Sequence, residues 1–173
     1  MESVKKTDPT IIVILGATGD LTWRKLVPAI YNLYLDKWTP DNFAVIGVSR
    51  TKMTEEKFKE RLHEGVDKFS RRGKSKKQEW AGFEKCLVYQ KGEFNVDSTY
   101  SAVEKKINAY EKKWKVSATR IFYLAVPPNA FEEIAIKVGK SDLAENKLLS
   151  RIVIEKPFGH DLDSAKHLNN LLH

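Results

Sequence analysis

The sequence predicts an α/β fold in which a doubly wound parallel sheet is covered by helices on both faces. Five apolar runs alternate along the chain with segments that have the spacing of amphipathic helices. Continuous apolar runs of this kind are typical of strands buried on both faces of a parallel sheet. Right-handed crossovers would distribute the helices over the two faces and place ligands at the carboxyl ends of the strands.

The predicted elements follow in chain order. The strands cover Ile11–Leu15, Phe43–Val48, Cys86–Tyr89, Arg120–Val126 and Arg151–Glu155. The first helix extends from about Asp20 to Asp36 and carries an apolar stripe of Leu21, Leu26, Ile30 and Leu33. We expect Pro28 to bend this helix because proline has no N–H to donate. Later helices are predicted with caps at Thr54, Asp97 and Asp161, with a further helix from about Asn129 and a short one near Gln78–Ala81.

Composition limits the class of protein. The chain has 173 residues, enough for one domain, and no apolar run approaches the roughly 20 residues of a membrane span. Residues 1–9 are predicted to form a flexible tail without the apolar segment of a signal peptide. Cys86 is the only cysteine, so we expect no disulfide framework, no metal site and a cytoplasmic location.

The charge indicates an anionic partner. The formal net charge is +7, and the basic residues are spread out except in the segment Lys68–Lys77. That segment has no aromatic residues at stacking intervals, so we interpret it as a solvated loop rather than a nucleic-acid-binding surface. A phosphorylated small molecule is therefore the expected ligand.

The turn after the first strand is the strongest functional signal. It reads GATGDL over residues 16–21, between an apolar strand and an amphipathic helix. Gly16 can adopt backbone angles closed to other residues, and Gly19 lets an anion approach the main chain. Amide groups at the start of the helix would then face a pyrophosphate. The turn departs from the G-x-G-x-x-G pattern at Thr18 and Leu21, and a tight turn that binds no ligand is the alternative.

Arg50 predicts which coenzyme is bound. It follows the second strand, at the point where NAD-dependent enzymes place a carboxylate for the ribose 2′-hydroxyl. Its guanidinium would instead attract a 2′-phosphate and stack on adenine, which predicts NADP. The alternative is an arginine exposed at a strand end without a ligand.

Lys156 is predicted to contact the ligand at the end of the fifth strand. It follows the fifth strand in the turn Lys156–Gly159, whose Pro157 is compatible with a cis peptide bond. Its ammonium would lie at the rim that faces the ligand and would bridge a sugar or phosphate group and the coenzyme. A lysine in solvent at a strand end is the alternative.

Four segments carry a resemblance to a known family: GATGDLTWRKLVPAIYNLY, GVSR, FYLAVPPNAF and RIVIEKPFGHDL. They resemble, in the same order, the N-terminal half of glucose-6-phosphate dehydrogenase, over about residues 11–172. The resemblance implies a Rossmann-like coenzyme domain over residues 10–173, without the family's C-terminal β+α domain for sugar phosphate and dimerisation. It further implies oxidation of D-glucose 6-phosphate to 6-phosphoglucono-1,5-lactone with NADP, in the oxidative pentose phosphate pathway, by a homodimer or homotetramer.

The same resemblance implies roles for individual residues. The pyrophosphate turn would comprise Gly16, Ala17, Thr18, Gly19, Asp20 and Leu21, with Arg50 at the 2′-phosphate. Ala125 and Pro127 match residues beside the nicotinamide, and Phe131 stands where the family often has a coenzyme-contacting tyrosine. Lys156 matches a lysine that touches coenzyme and sugar, and Lys25 matches one implicated in substrate binding. Trp23 is a departure, because the family usually has lysine there.

Catalysis in the resembled family uses a histidine base from a D-H-Y-L-G-K-E segment, which this sequence does not contain. The histidines present, His63, His160, His167 and His173, have a different context, and His160 is interpreted as a surface residue at a helix start. We therefore expect no catalytic residue in this chain and no turnover by it alone. A stand-alone NADP-binding module and an atypical short-chain reductase or epimerase are the alternatives, although the latter needs a Tyr-x-x-x-Lys pattern that does not occur.

Overall fold

The structure is a computed structural model that describes residues 7–144, 146–159 and 161–172. Within these residues a single sheet contains the strands β1 (Thr10–Leu15), β2 (Phe43–Ser49), β3 (Leu87–Lys91), β4 (Thr119–Leu124) and β5 (Ser150–Ile154). The strands lie in the order β3-β2-β1-β4-β5, and every neighbouring pair is parallel. The predicted doubly wound sheet is confirmed, and each strand begins and ends within two residues of its predicted bounds.

Helices cover both faces of this sheet. The α-helices of the described residues are α1 (Val27–Leu35), α2 (Glu55–Phe69), α3 (Lys77–Phe83), α4 (Asp97–Trp114), α5 (Phe131–Lys140) and α6 (Leu162–Leu172). Short 3₁₀ segments lie at Glu84–Cys86, Pro128–Ala130 and Asp142–Ala144. Among the described residues, the structure contains no helix with the length and apolarity to cross a membrane.

Two apolar cores lie on opposite faces of the sheet. One core packs α1, α2 and α3 through residues such as Tyr31 and Phe58, and the other packs α4, α5 and α6 through residues such as Ile107. Successive residues of a strand point to opposite faces, so Val13 contributes to one core and Ile14 to the other. The sheet is therefore shielded on both sides, and its loops are available to bind ligands.

The first helix differs from its prediction at Pro28. A π-helical turn, Thr22–Leu26, precedes α1, and the N–H of Val27 donates to the carbonyl of Thr22. Pro28 directly follows this π-helical turn, so its missing N–H coincides with the change in the hydrogen-bond pattern of the helix. The wide turn also shifts the buried face, so Val27 and Tyr31 are buried while Leu33, predicted in the apolar stripe, is 46% exposed.

Two of the three predicted helix caps are confirmed and one is wrong. The side chains of Thr54 and Asp161 accept hydrogen bonds from the backbone N–H groups of Lys57 and Ser164, which confirms both caps. The predicted cap at Asp97 is wrong, because α4 begins at this residue and Val96 occupies the cap position. The Asp97 carboxylate instead pairs with Lys137 of α5 at 2.6 Å.

A largely buried ion pair joins α4 to β4. Glu111 accepts hydrogen bonds from the Nη2 of Arg120 through both carboxylate oxygens, at 3.3 and 3.2 Å, and from the N–H of Ala118 at 2.9 Å. The Nη1 of Arg120 donates to the carbonyls of Asp142 and Leu143. Only 14% of the Arg120 side chain and 16% of the Glu111 side chain are exposed, so the charges depend on each other for solvation.

Strand β5 is less buried than the continuous apolar pattern predicts. It forms the edge of the sheet among the described residues, and Val153 is 37% exposed. An edge strand has a neighbour on one side only, which leaves part of its surface accessible. Residues 1–6 of the predicted tail lie outside the described residues, whereas Pro9 accepts a hydrogen bond from the N–H of Thr119 at 2.7 Å.

Candidate functional site

The glycine turn lies at the carboxyl end of β1. Gly16 has a φ of +93°, the left-handed conformation that favours glycine. The N–H groups of Gly16 and Ala17 donate to the carbonyl of Val48 in β2, and the N–H of Gly19 donates back to the carbonyl of Gly16. The hydroxyl of Thr22 also donates to the Gly16 carbonyl, at 3.2 Å. The turn is therefore held by its own hydrogen bonds and by those to the neighbouring strand.

Three amide groups of the turn are left for a ligand. Within the described residues, the N–H groups of Thr18, Asp20 and Leu21 have no backbone acceptor. Asp20 and Leu21 form the first helical positions, where amide groups have no partner inside the helix. A side chain on Gly19 would come within 3.1 Å of the Gly16 carbonyl, so glycine keeps the main chain open. These groups fit a pyrophosphate, whereas the amide of Gly19 is used within the turn.

Gly16 also marks the crevice where the winding of the sheet reverses. Its α-carbon faces the loop after β4, and a Cβ there would lie 2.1 Å from the carbonyl oxygen of Ala125. The N–H of Ala125 in turn donates to the carbonyl of Leu15 at 2.9 Å. Chain connections leave β1 and β4 in opposite directions at this point, which is where ligands bind in open α/β sheets.

A hydroxyl network orders the end of β2 beside the turn. The buried Ser49 hydroxyl lies 2.7 Å from the Tyr89 hydroxyl, which donates to the carbonyl of Thr51 at 2.5 Å. The hydroxyls of Thr18 and Thr51 are 3.2 Å apart and join the two loops. Arg50 lies in this segment with an exposed side chain, and it forms no hydrogen bond or ion pair with any described residue.

Sequence reasoning missed a second arginine at this place. Arg61 of α2 donates from Nη2 to the carbonyl of Thr18 at 3.2 Å. Arg61 occupies an exposed position of an amphipathic helix, and nothing in its local sequence distinguishes it from the other basic residues of α2. Only the packing of α2 beside the glycine turn brings the two together.

The ends of β4 and β5 carry a second polar pair. The hydroxyl of Tyr123 donates to the carboxylate of Glu155, and burial, together with this carboxylate, raises the pKa of Tyr123 to about 12. Glu155 precedes Lys156, which is exposed and joined to Pro157 by a cis peptide bond. At the carboxyl end of β5, an exposed lysine therefore follows a glutamate whose carboxylate is held by Tyr123.

The other predicted site residues differ in accessibility. Pro127 is exposed in the loop after β4, and Lys25 is exposed on the π-helical turn. Phe131, the first residue of α5, is 2% exposed and packs in the core. Its contact with the coenzyme stays a prediction.

The two histidines of the described residues, His63 and His167, are engaged by other side chains. His63 stacks on Trp80 at 4.2 Å and lies 2.7 Å from the Ser75 hydroxyl. His167 of α6 pairs with Glu132 of α5 at 3.1 Å. His160 and His173 lie outside the described residues.

The sheet order and the glycine turn at the β1/β4 crevice define a nucleotide-binding domain of the Rossmann class. The chain matches the family described as "Glucose-6-phosphate dehydrogenase, NAD binding domain" over residues 13–173. The chain belongs to this family, which confirms the resemblance seen in the sequence.

Individual relatives agree with this assignment. Glucose-6-phosphate 1-dehydrogenase of Chlamydia pneumoniae is 36% identical to the chain over 177 aligned positions, covering 99% of this chain and 34% of the relative. The enzyme of that name from Treponema pallidum is 35% identical, covering 93% of this chain and 32% of the relative. A solved structure of glucose-6-phosphate dehydrogenase in complex with its substrate glucose-6-phosphate superposes with a TM-score of 0.84 and 31% identity, covering 98% of this chain and 35% of the other. The chain thus spans about a third of the length of these relatives.

Proposed function

We propose that this chain is the NADP-binding domain of an enzyme that oxidises D-glucose 6-phosphate to 6-phosphoglucono-1,5-lactone. Membership of the family supports a nicotinamide dinucleotide as coenzyme. The role of such a coenzyme would be to supply the hydride acceptor for C1 of the sugar. We place the full protein in the cytoplasm, at the first step of the oxidative pentose phosphate pathway, as a homodimer or homotetramer.

The observation that carries the choice of NADP is the exposed Arg50, which forms no hydrogen bond or ion pair with any described residue and directly precedes Thr51 of the Thr18–Thr51 hydroxyl contact. A ribose 2′-phosphate at this place would meet a cation that has no acid among the described residues to neutralise it. A hydrogen bond to a charged group contributes roughly 1.5–3 kcal/mol, which corresponds to about 10- to 150-fold in affinity. The ribose of NAD carries no phosphate there and would gain little from Arg50.

The remaining coenzyme contacts follow from the turn. The amides of Thr18, Asp20 and Leu21 would bind the pyrophosphate that NAD and NADP share. The glycines at positions 16 and 19 and the small Ala17 let the main chain approach it, and Ala125 and Pro127 would border the nicotinamide half. Lys156 would bridge the coenzyme and the sugar phosphate, with Lys25 as a further cation for the substrate.

We also propose that the 173 residues by themselves bind coenzyme without turning over sugar phosphate. A general base must reach the C1 hydroxyl beside the nicotinamide. His63 is engaged by Trp80 and Ser75, and His167 is engaged by Glu132.

The test is a calorimetric titration of this chain with NADP and with NAD. We expect NADP to bind more tightly, and Arg50→Ala to weaken NADP by at least about tenfold and NAD by less than about twofold. Lys105→Ala is the matched control, because Lys105 is an exposed cation on α4, across the sheet from α2. Equal losses for both coenzymes would remove Arg50 from its role. NADPH formation from glucose 6-phosphate by this chain alone would overturn the proposed lack of turnover.

A further inference from the structure

Arg61 bridges two elements of the nucleotide site. It lies on α2, the helix that follows β2, and its Nη2 donates to the carbonyl of Thr18 in the turn that follows β1. The distance is 3.2 Å. The guanidinium has five N–H donors, and this hydrogen bond uses one of them. Arg61 therefore reaches the glycine turn with most of its donors still available.

An aromatic side chain holds the guanidinium at this place. The Cζ of Arg61 lies 5.5 Å from the centre of the Trp23 ring, and the Trp23 ring contacts Phe69 edge-on at 5.0 Å. Gly65 allows this packing, because a Cβ at Gly65 would lie 2.4 Å from the backbone carbonyl of Trp23. Trp23 therefore packs closely against α2, and its ring limits the positions that the Arg61 side chain can take.

The charge around Trp23 is positive. The Nζ of Lys68 lies 5.5 Å from the same ring, while Arg24 is paired with Asp20 at 3.7 Å. Among the described residues, no carboxylate forms an ion pair with Arg61. An unneutralised cation beside a turn with free amides favours an anionic ligand.

The geometry relates Arg61 to Arg50. Thr18 accepts the hydrogen bond from Arg61 through its carbonyl, and its hydroxyl contacts the hydroxyl of Thr51, the residue after Arg50. Arg61 therefore reaches Thr18 from α2, while Arg50 directly precedes Thr51 at the end of β2, so the two arginines lie on different elements that the Thr18–Thr51 contact joins. A phosphate monoester has three terminal oxygens, enough to accept hydrogen bonds from two planar guanidinium groups.

We propose that Arg61 is a second specificity-determining residue for the 2′-phosphate of NADP, supported on the Trp23 ring and acting together with Arg50. This inference rests on the proposed function. Arg61 exchanges its contact with the Thr18 carbonyl for phosphate oxygens, or adds them through its remaining donors. A purely structural role, in which Arg61 only orders the turn through Thr18, would affect NAD and NADP alike.

The experiment is a titration of this chain and its Arg61→Gln variant with NADP, NAD and adenosine 2′,5′-bisphosphate. We expect Arg61→Gln to weaken NADP and the bisphosphate by about tenfold and NAD by less than about twofold. Arg61→Lys, which keeps the charge and loses the planar fork, should show an intermediate loss. Lys105→Gln removes the same charge from α4 on the other face of the sheet and should leave all three affinities within about twofold.

The outcomes separate this inference from the proposed function. Equal losses of NAD and NADP in Arg61→Gln, with Arg50→Ala still selective for NADP, would overturn the inference alone. Failure of the unsubstituted chain to bind either dinucleotide would overturn the proposed function as well. Circular dichroism melts of each variant verify folding, and Arg61 is exposed, so the Lys and Gln variants are both expected to fold.

Discussion

Gly16→Ala adds one methyl group at the crevice between β1 and β4. The new Cβ would lie 2.1 Å from the carbonyl oxygen of Ala125, 2.8 Å from its carbonyl carbon and 3.0 Å from the Cγ1 of Val126. The two closest atoms belong to the backbone and cannot rotate away. The N–H of Ala125 donates a hydrogen bond to the carbonyl of Leu15. A shift of Ala125 that relieved the clash would therefore also disturb the pairing of β4 with β1.

The cost of this substitution has two parts. The φ of +93° at Gly16 costs a residue with a side chain about 1–2 kcal/mol. Overpacking against neighbours that cannot move costs about 1–3 kcal/mol more. The sum is about 2–5 kcal/mol, and at about 2–4 °C per kcal/mol for a domain of this size the melting temperature should fall by about 4–20 °C.

Calorimetric melting measures this loss, and Gly73→Ala is its control. Gly73 has a φ of +74°, and a Cβ added to it would meet nothing within 4 Å, so its substitution carries the backbone cost without the clash. Gly16→Ala should therefore melt well below Gly73→Ala. It should also weaken NAD and NADP equally, because both share the pyrophosphate that the turn is proposed to bind. If Gly16→Ala melted no lower than Gly73→Ala, the close approach to Ala125 would not constrain the turn.

Three further substitutions test the fold. Arg120→Leu removes the ion-pair partner of the largely buried Glu111 carboxylate and should cost about 3 kcal/mol in urea unfolding, whereas Lys76→Ala, which breaks an exposed pair, should cost less than about 1 kcal/mol. The folded-state pKa of Tyr123 is about 12 and the unfolded value is about 10, so its stabilising contribution is complete below about pH 10 and is lost as the pH rises to about 12. Between about pH 10 and pH 12, Tyr123→Phe should therefore lose about 1–2 kcal/mol less of its free energy of unfolding than the unsubstituted chain. This figure is reduced for solvent screening, because the side chain is half-buried. An equal loss in both proteins would contradict the raised pKa of Tyr123. Gly139→Ala in α5, where a Cβ meets nothing within 4 Å, should stabilise the chain by about 0.5–1 kcal/mol in the same assay.

Local patterns predicted the strands well because each apolar run is long enough to be buried and is ended by a turn. Predictions failed where a neighbour in space competes with a neighbour in sequence. Asp97 would cap α4 in isolation, but its carboxylate forms an ion pair with Lys137 of the neighbouring helix α5. Pro28 would bend a regular helix, but it directly follows a π-helical turn, where the hydrogen-bond pattern already changes. Neither the ion pair with Lys137 nor the π-helical turn can be predicted from the residues next to it in the sequence.

The candidate site shows the same division. Gly16 and Arg50 are recognisable in the sequence, because a glycine after a buried strand and a cation in place of a carboxylate each have a chemical meaning at one position. Arg61 and Ala125 reach the same site from α2 and from the loop after β4. Their roles depend on distances to residues far away in the chain.

The order of residues by itself determined the alternation of strands and helices, the place of the glycine turn and the sign of the charge that follows β2. Those properties depend on hydrophobic spacing, backbone freedom and ionisation, which act within a few residues. The tertiary structure decided the strand order β3-β2-β1-β4-β5, the contact of Gly16 with Ala125 and the convergence of Arg61 on Thr18. These features arise only when the two apolar cores pack and bring distant segments to the same edge of the sheet.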